Sequence, residues 1–275
     1  MTTTARAPLL LLLLSAIFAL ALAVDHDLPG WDGETHNAGP LIRGGGVKRD
    51  HRQWIETISW EPRASIYHNF LTKDECLHLI HKAAPKMERS MTVDNDTGGE
   101  RLDTARTSSG TFFKRGEDEV IRQIEDRLAS WSMVPMEHGE GLQILHYEVG
   151  QQYQPHFDYF HDAEHQKNQR IATVLMYLTD VDEGGETLFP NGIPIPQKEG
   201  EQKSGKTSFS ECVGKTASGE PRPHIVPRQG DALLFWSLHT DTGLDPSSLH
   251  ASCPVIAGNK WSATKWMHVQ VFKDG

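Results

Sequence analysis

The feature that most constrains this chain is a succession of short strand-like runs in its second half, set apart by turns. Leu142-Gln143-Ile144-Leu145 leads into His146-Tyr147, and 170–178 (RIATVLMYL) is nearly all apolar. Residues 180–189 (DVDEGGETLF) turn on Gly184-Gly185 and enter another strand. Pro227-Arg228-Gln229-Gly230-Asp231 is a turn that feeds 232–236 (ALLFW). In 261–272, Trp261, Ala263 and Lys265 alternate with Ser262, Thr264 and Trp266. Aliphatic and aromatic residues in runs of this length, bounded by Gly and Pro, read as buried strands. Residues 55–60 alternate loosely and read as an edge strand, and 106–113 (RTSSGTFF) is also strand-like. Two helical patterns come first. Thr72 and Glu75 form a capping box ahead of Cys76, Leu77, Leu79, Ile80 and Ala83, and Pro85 ends the pattern. Val120, Ile121, Ile124, Leu128 and Trp131 line one face of 117–131. Many short strands after two helices predict a mainly β domain with flanking helices, its core a double-stranded β-helix (jelly roll).

The ends and linkers bound the domain. Arg6 precedes an apolar run over 7–24, and Ala21-Leu22-Ala23 fits the small-x-small pattern of a signal-peptidase site. Residues 1–24 therefore read as a secretory leader, either a cleaved signal peptide or a retained single-pass type II signal anchor. Residues 25–53 are rich in Gly, His and Asp around Gly44-Gly45-Gly46 and read as a flexible linker. The folded domain is expected over 54–275, a size normal for one β domain of about 200–250 residues. Residues 198–223 are polar and read as a surface excursion. Asn95-Asp96-Thr97 is a glycosylation sequon, in keeping with the lumen of the endoplasmic reticulum or Golgi. A net charge of −10 argues against a general nucleic-acid binder. Cys76, Cys212 and Cys253 lack CxxC spacing and make no zinc-finger set. Cys253 reads as a packed thiol or as half of a disulfide whose candidate partner is Cys212.

The chemistry concentrates in 141–161 (GLQILHYEVGQQYQPHFDYFH). His156 and Asp158 stand one residue apart among Tyr153, Phe157, Tyr159 and Phe160. In an extended chain, residues i and i+2 point the same way, so imidazole and carboxylate converge. With a distant second His they make the 2-His-1-carboxylate face of non-haem Fe(II) oxygenases, which leaves positions open for substrate and oxygen. A His-x-Asp pair alone is weak among 15 histidines. The best third ligand is His250, after the ALLFW run, with His239 as its rival. Lys260 lies ten residues on, before the last strand, where a cation could take the far carboxylate of a dicarboxylic cosubstrate. His146, His161, His165 and His268 read as surface or structural residues.

The runs LHYEVGQQYQPHFDYFHD, RIATVLMYL, GGETLFP, GDALLFW and DPSSLHASCPVIAGNKWSATKW resemble the motifs of prolyl 4-hydroxylases, Fe(II)- and 2-oxoglutarate-dependent dioxygenases, over about 54–271. The similarity is to the plant and algal type, a single catalytic domain. The resemblance implies that His156, Asp158 and His250 hold iron, which favours His250 over His239. Lys260 would bind the distal carboxylate of 2-oxoglutarate, with Tyr147 and Thr187 hydrogen-bonding in the same pocket. Tyr153, Arg170 and Trp266 match positions lining the cleft for the peptide's proline. Arg106 and Ser108 match a loop that closes over the peptide, and Glu140 matches another cleft position. The implied reaction adds a hydroxyl to C4 of peptidyl proline, with succinate and carbon dioxide as coproducts and ascorbate keeping the iron active. The partner would be a proline-rich or collagen-like secretory chain in polyproline II form. No nucleic acid is expected, membrane contact would come only through the N-terminal segment, and the protein would be a monomer.

Two other functions fit parts of the pattern. A zinc hydrolase could use His-x-Asp and a distant His around an activated water, but it has no need of Lys260. A non-catalytic binder of proline-rich peptides could keep the fold, but it has no need of an intact ligand triad.

Overall fold

The computed structural model describes residues 52–90, 92–93, 100–101, 105–161, 165–195 and 209–273. The expected leader, the expected linker through residue 51 and the Asn95 sequon lie outside the described residues. Strands β1 (Trp54–Glu61) and β2 (Arg63–His68) form a hairpin, followed by helix α1 (Lys73–Ala83). Next come β3 (Glu88–Arg89), β4 (Thr92–Val93), β5 (Glu100–Arg101), β6 (Ser109–Phe113) and helix α2 (Glu119–Ser132). Beyond α2 lie β7 (Leu142–Tyr147), β8 (Tyr153–His156), β9 (Arg170–Tyr177), β10 (Glu183–Gly184), β11 (Thr187–Leu188) and β12 (Ile193–Pro194). The last are β13 (His224–Ile225), β14 (Ala232–Trp236), β15 (His250–Ser252), β16 (Val255–Ala257) and β17 (Lys260–His268).

Among the described residues the larger sheet runs β12-β1-β2-β14-β9-β17-β7-β6-β3 and the smaller runs β13-β11-β15-β8. The jelly-roll architecture follows from how side chains divide between faces. Along β17, Ala263 and Met267 pack with the helices, while Lys260, Ser262, Thr264 and Trp266 line a cavity on the opposite face. On β9, Ala172, Val174 and Met176 join the helical core, and Thr173 and Leu175 face the cavity. Both faces of β9 are covered, which is why RIATVLMYL reads as one continuous apolar run rather than an alternating strand.

The helices brace the outer face of the larger sheet. The capping box of α1 is present: Glu75 N donates to Thr72 Oγ1 (3.2 Å) and Thr72 N donates to Glu75 Oε2 (2.8 Å). Helix α2 is capped by Asp118, whose Oδ1 accepts from Ile121 N (2.9 Å), so it starts two residues later than the apolar pattern from Glu117 suggests. Leu79, Ile121 and Ile124 are fully buried, each burial worth roughly 1.5–3 kcal/mol. One polar pair is buried with them. Glu125 of α2 accepts from Lys265 Nζ on the helix-facing side of β17, and Gly116 N donates to its other oxygen (2.7 Å). Pairing and full hydrogen bonding are what permit two charged groups there.

Several boundaries differ from the sequence reading. The last strand stops at His268, and 269–272 leaves the sheet, with Val269 N donating to Gln169 O and Phe272 N to Glu137 O. Strand β1 is not an outermost strand, because the two-residue β12 pairs along its far side. His250, the third-ligand candidate, opens strand β15. Of the expected surface excursion, 209–213 is anchored. Val213 is buried with Leu188, Cys253 and Phe209, and a disulfide joins Cys212 to Cys253. That bond is the pairing open among the sequence alternatives, and Cys76 remains a buried free thiol.

Candidate active site

Strands β8 and β15 pair antiparallel in the smaller sheet, with His156 opposite His250. Asp158 lies in the bend after β8, not on the strand, so the i and i+2 alternation expected for an extended chain is not what aims it. Thr173 of β9 aims it instead, donating from Oγ1 to Asp158 Oδ2 (2.6 Å). Ligand atoms of His156, Asp158 and His250 all lie within 4.8 Å of one another. The Nε2 atoms of His156 and His250 stand 3.7 and 3.6 Å from the two Asp158 oxygens. Each imidazole turns its Nδ1 to a main-chain carbonyl, His156 to Gln154 O (2.9 Å) and His250 to Ser248 O (3.0 Å). An Nδ1–H donated this way leaves the Nε2 lone pair free to face a shared cation. Burial and the neighbouring His250 push His156 down to about 3, so its ring is neutral and competent to ligate. Burial alone would raise Asp158, but the two imidazoles and Arg170 outweigh it and hold the carboxyl below its usual range.

A cavity of about 50 Å³ opens beside this cluster, between residues of the two sheets. Lys260, first residue of β17, reaches its wall and is 1% exposed. Its Nζ donates to Gly185 O (2.8 Å) and Ser252 Oγ (2.9 Å) and lies 5.3 Å from the Tyr147 ring centre. The Gly184-Gly185 turn makes this possible: both residues have positive φ (78° and 67°), and a Cβ on Gly184 would meet Pro254 O at 2.3 Å. Burial pushes Lys260 down to about 7, against the pull of Glu186. An ammonium has three donors, and an incoming carboxylate would both accept from it and restore its charge. Tyr147 and Thr187 line the same cavity, and Thr187 Oγ1 accepts from the Tyr177 hydroxyl (2.8 Å). Two further buried polar atoms on the wall, Ser262 Oγ and Trp266 Nε1, have no partner among the described residues.

The other candidates divide into lining and support. Tyr153 stacks on His156 with ring centres 3.6 Å apart, and the Arg106 guanidinium lies 4.9 Å from the Tyr153 centre. Arg106 also donates to Gln143 Oε1 (2.8 Å). Trp266 lines the cavity, whereas Arg170 and Glu140 do not. Arg170 lies 4.1 Å from the Trp266 ring centre and donates to Glu140 Oε1 (2.6 Å), which also faces His268 Nε2 (2.8 Å). Burial would raise Glu140, but Arg170 and His268 hold it down at about 2. Ser108 is likewise off the wall, buried and donating to Ser90 Oγ (3.1 Å). His239 lies outside the ligand cluster, 3.8 Å from Asp245. Sequence reasoning did not single out Thr173, Ser252 or Ser262. Thr173 left the one usable signal, a hydroxyl residue inside an otherwise apolar run.

The residues fit Fe(II) and 2-oxoglutarate. Two imidazoles and a carboxylate form a 2-His-1-carboxylate donor set, and a buried ammonium with unpartnered hydroxyl and indole donors suits a small dicarboxylate. The profile of the 2OG-Fe(II) oxygenase superfamily matches residues 142–268. Prolyl 4-hydroxylase 5 of Arabidopsis thaliana is 53% identical over 227 residues, covering 80% of this chain and 73% of that protein. Probable prolyl 4-hydroxylase 3 of the same plant is 48% identical over 268 residues, 95% of this chain and 88% of that one. Among solved structures, a viral collagen prolyl hydroxylase from Paramecium Bursaria Chlorella virus-1, in complex with 2OG, superposes with a TM-score of 0.53 at 26% identity, covering 75% of this chain and 96% of that one.

Proposed function

The chain belongs to the prolyl 4-hydroxylases of the 2OG-Fe(II) oxygenases, and from that premise we propose how its residues divide the work and which substrates it meets. It is a 2-oxoglutarate-dependent proline hydroxylase. The observation that carries the assignment of roles is the convergence of His156, Asp158 and His250 beside buried Lys260 in one cavity. His156 and His250 would hold Fe(II) through Nε2 and Asp158 through a carboxylate oxygen. Their hydrogen bonds to Gln154 O, Ser248 O and Thr173 Oγ1 pre-orient those atoms, so little rearrangement accompanies metal binding. Lys260 would take the distal carboxylate of 2-oxoglutarate, with Tyr147 and Thr187 on its flanks. When bound, Fe(II) and 2-oxoglutarate supply the dioxygen chemistry, one oxygen atom going to succinate as carbon dioxide leaves and the other to C4 of proline.

Tyr153, Arg106 and Trp266 would receive the prolyl residue. Arg170 would act beside Trp266 by fixing its ring, with Glu140 holding Arg170, and Ser108 would fix the segment that carries Arg106. A cleft walled by aromatic rings suits polyproline II chains, which are ordered before they bind. Proline-rich or collagen-like secretory chains are the substrates this reading favours. The apolar N-terminal run and the Cys212–Cys253 disulfide support a luminal, oxidising location, with the N-terminal segment as signal or type II anchor. Ascorbate would serve as the reductant that keeps the iron ferrous.

The test is mass spectrometry of polyproline and Pro-Pro-Gly peptides after incubation with iron, 2-oxoglutarate and ascorbate. A gain of one oxygen per modified proline is expected, with one succinate formed for each. His156→Ala should abolish that gain and iron binding while leaving peptide affinity largely intact. If neither peptide gains oxygen, the substrate class is wrong. If His156→Ala retains iron and turnover, the ligand assignment fails.

A further inference from the structure

Phe112 is out of place by the ordinary rules of this fold. The registers of the larger sheet set Leu233, Leu175, Thr264, Gln143 and Phe112 in one row across five strands. Directly paired residues share a face of a sheet. Leu175 and Thr264 line the cavity, Leu233 is in the core between the sheets, and Gln143 is buried. Gly110, two residues before Phe112, pairs with cavity-lining Leu145 and confirms which face this is. The row ends on Phe112, which is 56% exposed, while the next residue, Phe113, is 1% exposed in the helical core. The Phe112 ring centre lies 6.5 Å from that of Trp266, with the planes tilted by 35°. Arg170 occupies the other neighbour position at Trp266, 4.1 Å from its ring centre. Aromatic wall thus continues out of the cavity onto open surface and stops on a half-uncovered ring.

We infer that Phe112 is an outlying subsite for the peptide substrate, holding an apolar residue, proline above all, within one polyproline turn of the residue that lies against Trp266. The inference rests on the proline-hydroxylase reading and deepens it. The occupant is chosen by continuity, since the surface is the outward extension of the wall that would receive the target proline. Its reach follows from ring spacing: polyproline II rises about 3.1 Å per residue and turns in three, so a 6.5 Å separation falls inside one turn. Proline rings present flat apolar edges that pack on an aromatic face without losing side-chain freedom. Chains with neighbouring prolines would gain this contact, and a lone proline among polar residues would not.

The experiment compares an oligoproline several turns long with a tripeptide carrying one central proline. Each is assayed for turnover and for equilibrium binding with the iron-loaded enzyme. Phe112→Ala should raise KM and the dissociation constant for the long peptide by about 5- to 10-fold, with kcat unchanged, and leave the tripeptide unaffected. Phe112→Thr, which keeps strand propensity without the ring, should match Phe112→Ala, and Phe112→Tyr should stay near wild type. Equal effects on both peptides, or none on either, would overturn the subsite. Wild type that hydroxylates neither peptide would overturn the reading of function instead, and the binding arm would still decide the role of Phe112.

Discussion

Thr173 shows how much of the site depends on a residue that ligates nothing. Its hydroxyl is the only hydrogen-bond donor the described residues place on Asp158, at 2.6 Å, and it is buried in the middle of β9. Thr173→Val keeps the shape and removes the bond. Iron affinity should fall by about 10- to 100-fold, measured by titrating the metal, with turnover recovering at excess iron. Thr173→Ser should retain both, and an unchanged iron affinity in the Val variant would remove this role. The contrast with His156, Asp158 and His250 explains what could be read in advance. Metal ligands come from a few residue types in recognisable spacing, so the sequence points to them. A supporting hydroxyl is one threonine among many, and only the register of β9 against the Asp158 bend gives it meaning. Arg170 and Glu140 make the reverse case: they read as cleft residues, yet they sit off the cavity wall, paired with each other beside Trp266, because an ion pair in a low-dielectric interior turns to its own partners.

At the scale of elements, strands and helices were legible where one physical rule governed them. The capping box and the 3.6-residue pattern fix α1, and ALLFW coincides with β14. Strand ends were not legible where tertiary bonds decide them, as at His268, where the chain turns away to bond Gln169. The junction of β1, β2 and β14 yields a pH prediction. His68 on β2 places Nδ1 2.9 Å from Asp231, at the entry to β14, and Nε2 3.1 Å from Glu56 of β1. Burial opposes protonation, but the two carboxylates outweigh it and raise His68 to about 9 from 6.5. A raised folded-state value means the contribution is complete below about pH 6.5 and is lost as pH climbs through 9. Its size is on the order of 2–3 kcal/mol, reduced by the exposure of Glu56. Urea unfolding between pH 6 and 10 should show that loss, and His68→Gln should flatten it. A wild-type slope that survives the substitution would place its origin elsewhere.

For the whole molecule, the two main sheets and an outer pair of helices follow from the spacing of apolar runs, but the path of 209–223, the described part of the expected 198–223 excursion, does not. Polar composition suggested surface, whereas Cys212, Val213 and Ser210 draw part of it inward. Ser210 donates to Glu186 from N (2.7 Å) and Oγ (2.8 Å), and Glu186 in turn favours the charge on Lys260. The Cys212–Cys253 bond closes 41 residues of chain, which by loop entropy is worth about 4 kcal/mol. Cys212→Ser, or treatment with a thiol reductant, should therefore lower the thermal midpoint. Because the released segment holds Glu186, KM for 2-oxoglutarate should rise more than KM for peptide. Equal midpoints in oxidised and reduced protein would remove this prediction.

That tether makes the fold sensitive to the redox state of its surroundings. Cys253 lies three residues past His250, and its partner is exposed, so small thiols can reach the bond from outside. Protein synthesised among reduced thiols would own every ligand yet lack the clasp that ties the segment bonded to Glu186 to the end of β15. Full competence would then be acquired only after passage into surroundings that can take two electrons from this pair.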